Sequence, residues 1–233
     1  LARADGDLAA RREWLGRNEA DGNPRITTRL NFLGEGDLEP HPKFSNLYVV
    51  EAREGATPRA LAPDFESLGR APGGPPGAES GPAWSSDGKW IFVTGRLTSG
   101  QSEHPDRLQT NDLIRISADG TQRQSLRVLP GHTKSAPVVS PDGRTVAFLT
   151  SEIAKEGYAQ AGIGLWSVDR AAAGLLDTKL DRSAGHLRWG RDSATLWFTA
   201  PSQGDFTLYR ASAKTGSTEA FSARHTGMTA YDI

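Results

Sequence analysis

Three aspartates recur in nearly the same company. Asp87 lies in AWSSDGKWIFVT (83–94), Asp142 in VSPDGRTVAFLT (139–150) and Asp192 in WGRDSATLWFT (189–199), 55 and 50 residues apart. Carboxylates could act as metal ligands or as acids. Their neighbours point to architecture instead, because an Asp-Gly pair between an apolar residue and an apolar run is a tight-turn signal. Each carboxylate is expected to cap its turn by accepting backbone N–H groups. Both central residues of such a turn are expected at positive φ. The third copy carries Ser193 in place of glycine, which predicts a different or looser turn there.

Other residues with chemical potential are scattered. His41, His104, His132, His186 and His225 stand alone, without H-E-x-x-H spacing, and cysteine is absent, so no zinc site or disulfide is expected. Asp5 and Asp7 fit an EF-hand loop poorly, since the glycine falls wrong and the twelfth position is not Glu. The nearest approach to G-x-S-x-G is GAESG at 77–81, which has the wrong spacing. Neither G-x-G-x-x-G nor a Walker loop occurs, and no cofactor is called for. Trp84, Trp90, Trp166, Trp189 and Trp197 occupy strand positions and are expected to pack between sheets. Trp14 lies outside the repeats and stays open as a contact residue. Arg25 and Arg29 flank a short ITT strand and read as a solvated strand edge, or as partners of a carboxylate. No catalytic, cofactor-binding or metal-binding residue is assigned.

The elements that position these residues follow from the repeat. After each turn come KWIFVT, RTVAFLT and ATLWFTA, apolar on both faces and so expected to be strands buried on both sides. A second series, NLYVVEAREG (46–55), DLIRISADG (112–120), GLWSVDRAA (164–172) and TLYRASAKTG (207–216), reads as strands leading into polar turns. Units of this length with a central hairpin predict an all-β fold, the four-stranded antiparallel blades of a β-propeller. Residues 24–233 are read as about three to four consecutive blades, a partial propeller whose ring this chain alone does not close. Residues 1–23 are read as a short amphipathic helix or a mobile excursion between blades. The stretches at 71–81 and 97–111 are read as long loops. From Leu208 to Ile233 the interval matches the repeat, so Ile233 is expected at the position of Trp84, Val139 and Trp189. Both ends, LARADGD and AYDI, read as cuts within a longer polypeptide, and the segment is not expected to fold alone.

Composition bounds the partners. With 27 basic and 28 acidic residues the net charge is −1, which gives no electrostatic reason to expect nucleic acid or anionic membrane. No apolar run is long enough to span a bilayer as a helix.

With these blades in view, the chain resembles the propeller of the prolyl oligopeptidase family of serine peptidases, in particular its acylaminoacyl-peptidase-like branch. PAWSSDGKWIFVT and PVVSPDGRTVAFLT match that branch's PxWSPDGxxIAF blades, and PRITTRLNFLGEGDL with FSNLYVVEA matches its strand pair ahead of hLYVVD. RHTGMTAYDI resembles the lead-in to a further blade. Ser86 in place of proline, GRDS in place of SPDG, and the two long loops depart from the pattern. The resemblance implies a parent with a C-terminal α/β-hydrolase domain bearing Ser, Asp and His, none of which can be assigned here. It implies a serine exopeptidase or oligopeptidase whose propeller gates and docks short peptides. Separately from the resemblance, a cytoplasmic location is expected, and further copies of the chain are left open as partners. The alternative is a non-catalytic TolB-like propeller that binds proteins as a scaffold.

Overall fold

The corner turns set the strand boundaries. The computed structural model describes residues 45–68, 81–97, 111–153 and 159–221. Strands β1 (Ser45–Val49) and β2 (Arg59–Leu68) form a hairpin, blade one. Blade two holds β3 (Ala83–Trp84), β4 (Trp90–Leu97), β5 (Asp112–Ser117) and β6 (Arg123–Ser125). Blade three holds β7 (His132–Val139), β8 (Thr145–Glu152), β9 (Gly162–Ser167) and β10 (Ala172–Leu176). Blade four holds β11 (Gly185–Trp189), β12 (Thr195–Ser202), β13 (Asp205–Ser212) and β14 (Thr218–Ala220). Blades three and four are four-stranded antiparallel meanders, as the repeat predicts. Blade two departs from this, because β3 is only two residues long. The far end of β4 is left open beside it, and β2 fills the gap with Phe65 opposite Leu97 and Leu68 opposite Gly95. The result is a six-stranded sheet.

Each corner closes in the same way. The N–H of Ser85 donates to the Trp90 carbonyl, Ser140 to Thr145 and Gly190 to Thr195, all at 2.8 Å. Within the loop, the N–H groups of Gly88, Gly143 and Ser193 return to the carbonyls of Ser85, Ser140 and Gly190. Only this fourth residue turns left-handed, at φ +68°, +73° and +54°; the aspartates do not, contrary to the two-residue turn expected from sequence. The third corner is no looser than the others. In the first two, the Ser85 and Ser140 hydroxyls donate to the aspartate and accept the closing N–H of Trp90 or Thr145. Gly190 offers no hydroxyl, so Asp192 accepts the Thr195 N–H itself at 2.9 Å and also the Thr195 hydroxyl at 2.7 Å. Ser193 contributes in turn, since its Oγ accepts the N–H of Asp142 in blade three at 3.0 Å.

The strands after the first two corners deal alternate side chains to two interfaces, as period-2 geometry requires. From β4, Ile91 and Val93 pack with Leu61, Ile114 and Ile116 towards blade one, whereas Phe92 packs with Val146, Phe148 and Trp166 towards blade three. From β8, Val146 and Phe148 join the latter cluster, and Ala147 and Leu149 face Leu187, Leu196 and Phe198 of blade four. Phe148 and Phe198 are fully buried. Each ring contributes about 1.5–3 kcal/mol by leaving water. A run apolar on both faces is therefore two half-cores back to back.

Candidate functional site

The three aspartates remain apart, one per corner, each bound to its own loop. Serine hydroxyls and backbone N–H groups hold Asp87 and Asp142 below the ordinary carboxylate pKa, and the Thr195 hydroxyl with two N–H groups does so for Asp192. A fourth corner of the same chemistry, not distinguished by the repeat, joins β5 to β6. Ser117 donates to Asp119 at 2.5 Å, Asp119 accepts the Thr121 N–H at 3.0 Å, and the Gln122 N–H returns to Ser117 Oγ at 2.9 Å. The Ser117 hydroxyl, then Thr121, lower the Asp119 pKa from 3.8 to about 2. Ser-x-Asp-Gly is thus a portable corner, and its recurrence at 117–120 was readable in the sequence. Because Asp119 binds protons more weakly folded than unfolded, its contribution is present in full well above pH 3.8 and is lost as pH falls towards 2. The sign is the same for Asp87, Asp142 and Asp192. Thermal midpoints measured from pH 7 to 2 are expected to hold steady and then fall below about pH 4, and less steeply in Asp119→Asn.

The tryptophans divide. Trp166 is buried with its ring centroid 5.8 Å from Phe92 of blade two, and Trp189 donates its Nε1–H to the Val138 carbonyl of blade three at 3.1 Å. Both pack between blades as expected. Trp90 lies under the Arg115 guanidinium at 4.7 Å, and Trp197 meets Phe221 of its own blade edge-to-face. Trp84 departs from the expectation, being 47% exposed on β3. His186 adopts φ +47° in a bulge of β11 and shares a hydrogen bond with Thr199 at 2.9 Å; His132 is bonded to the Pro130 carbonyl at 3.3 Å. Asp5, Asp7, Trp14, Arg25, Arg29, His41, His104, His225, Ile233, the segment 1–23 and the bulk of both long loops lie outside the described residues. Among the described residues no group of three or more His, Asp or Glu is arranged to hold a metal ion.

Two features were not singled out in the sequence. The first is a buried cation at the seam between blades two and three. Lys134 on β7 is 3% exposed; its Nζ donates to the His132 carbonyl at 2.6 Å and lies 3.4 Å from Asp112 on β5. Ser125 donates to the other oxygen of Asp112 at 3.0 Å. Backbone bonds run alongside, from Lys134 N–H to the Asn111 carbonyl and from Asn111 N–H to Thr133 Oγ1. Burial pushes the Lys134 ammonium below its ordinary pKa, and the Asp112 charge opposes that shift. A lysine in an otherwise ordinary strand gives no signal of burial until its partner across the seam is known.

The second is a cavity of about 540 Å³ at the end of blade three that abuts blade four. Ile163, Leu176, Ala184 and Phe198 form its apolar wall, with Glu152, Lys179 and Arg182 on the polar side. Lys179 is paired with Asp177, and Arg182 with Asp181 while donating to the Pro201 carbonyl at 3.0 Å. The cavity suits a neutral, largely apolar group of side-chain to small-peptide size.

No family model matches the chain, and neither does any curated protein. Solved structures do. TolB from Acinetobacter baumannii superposes with a TM-score of 0.53 at 18% identity, over 77% of this chain and 38% of TolB. The fold is a β-propeller. A puromycin-hydrolyzing peptidase from Mycobacterium tuberculosis matches with a TM-score of 0.50 at 13% identity, over 77% of this chain and 25% of the peptidase. A chain of a nidogen/laminin complex matches with a TM-score of 0.53 at 11% identity, over 80% of this chain and 62% of that one. The propeller described here therefore spans less than two thirds of each of these neighbours, and the likeness is one of fold. Peptidase and TolB propellers both stand among them.

Proposed function

We propose that this propeller is part of a serine peptidase of the prolyl oligopeptidase type and that it gates and docks short peptides for a hydrolase domain of the same polypeptide. The observation that carries the reading is the tandem of PAWSSDGKWIFVT and PVVSPDGRTVAFLT blades, in which the Ser-x-Asp-Gly corners fold identically. A peptidase among the structural neighbours and a cavity with one apolar wall support it. In such an enzyme the acyl group passes to a serine hydroxyl and then to water; the propeller's part is to select by size and to orient the peptide.

A TolB-like scaffold is the second reading, favoured by the likeness to TolB. One experiment separates the two. The intact protein is treated with a fluorophosphonate probe and assayed on acetyl-alanyl and alanyl aminomethylcoumarin. The proposal expects labelling of one serine within G-x-S-x-G and release of the dye. An intact protein with neither the labelled serine nor the hydrolysis overturns it in favour of the scaffold.

A further inference from the structure

The outer edges of the described blades are not protected alike. An exposed edge strand offers unpaired N–H and C=O groups to any passing strand, and charged residues on short edges discourage such pairing. β6 reads RQS and β14 reads TEA, three residues each with a charge at Arg123 or Glu219. β10 reads AAGLL, five residues without charge or proline. It ends the sheet order β10-β9-β8-β7, and its outer backbone groups have no partner among the described residues. Leu175 is 57% exposed there, and a Cβ at Gly174 would meet nothing within 4 Å.

This open edge runs into the cavity described above, which Leu175 and Leu176 help to line. The β8–β9–β10 ladder is already continuous in register, and one more strand would extend it at a spacing of about 4.8 Å. The cations that line the cavity, Lys179 and Arg182, are paired, so an uncharged occupant is favoured over an anionic one. We propose that the β10 edge and the cavity at its C-terminal end form one docking site for an extended, uncharged peptide, which adds as a fifth strand and places an apolar side chain in the cavity. Main-chain bonds supply affinity, and the cavity supplies preference for an aliphatic or aromatic residue. The choice of a peptide as ligand rests on the function proposed above.

The test reads binding alone, so its failure is distinguishable from absent hydrolysis. A fluorescein-labelled heptapeptide alternating threonine and leucine is titrated into the intact protein by anisotropy. Saturable binding is expected, weakened at least about tenfold by Leu175→Lys or Ala172→Lys and unchanged by Glu219→Lys on the β14 edge. Amides 172–176 are expected to exchange more slowly when peptide is present. Thermal midpoints confirm that the variants fold, as exposed positions should permit. Equal binding by both lysine variants overturns the site. So does protection of 172–176 that rises with protein concentration in the absence of peptide, which would make the occupant a second copy of the chain.

Discussion

Gly216→Ala is expected to lower stability by about 3 kcal/mol. Gly216 lies in the turn between β13 and β14, where its N–H donates to the Ser212 carbonyl and its φ is +74°. A left-handed conformation costs an alanine roughly 1–2 kcal/mol. Space is the larger difficulty. A Cβ there would sit 2.1 Å from the carbonyl oxygen and 2.7 Å from the carbonyl carbon of Asp177, which is backbone and cannot rotate away. Overpacking of this kind adds about 1–3 kcal/mol. Asp177 directly follows β10, so the turn of blade four is seated on the chain of blade three. Gly204→Ala is the reference, with φ +86° and open space around it. Urea midpoints should fall clearly further for Gly216→Ala than for Gly204→Ala. Equal losses would mean that this contact between blades contributes nothing.

The second large effect concerns the seam lysine. Asp112→Ala is expected to destabilise by about 2 kcal/mol, because it leaves a buried ammonium without its carboxylate. The full penalty for breaking a buried pair is larger, but the Asp112 side chain is 40% exposed and water screens part of the interaction. Lys134→Met keeps the stem and removes the charge, and it is expected to be neutral or slightly stabilising. If the pair is an electrostatic compromise between blades, chemical denaturation shows a clear loss for Asp112→Ala and none for Lys134→Met. A loss of equal size in Lys134→Met would show instead that the Nζ–H bond to the His132 carbonyl is the dominant contribution.

The features legible in the sequence were those that repeat with strong local chemistry. The corner turns, the strands that follow them and the series from NLYVV to TLYRAS lie where their patterns place them, because apolar runs buried on both faces and Asp-capped corners are specified by neighbours in the chain. The outer strands were not legible individually. RQS and TEA are too short and polar to stand out, and they exist because a third strand offers them an edge. The third corner, where Ser193 predicts a different or looser turn, keeps the same closing bonds for a physical reason: Ser193 tolerates φ +54° and gains a bond to Asp142. The exposure of Trp84, the burial of Lys134 and the pairing of β2 with β4 depend on partners distant in sequence, which a local pattern does not encode. The cavity likewise arises where two blades meet.

The alternating distribution of β4 and β8 side chains has a consequence for how such a chain can vary in length. Inserting one residue within either of these strands would exchange its two half-cores, presenting to each neighbour the set shaped for the other. Growth and loss are thus confined to the connections at the ends of the sheets. β12 reaches β13 across two residues, whereas β4 reaches β5 across fourteen. The rigid stack keeps its frame while one rim remains free to diverge, so new recognition can be acquired there without refashioning the interior.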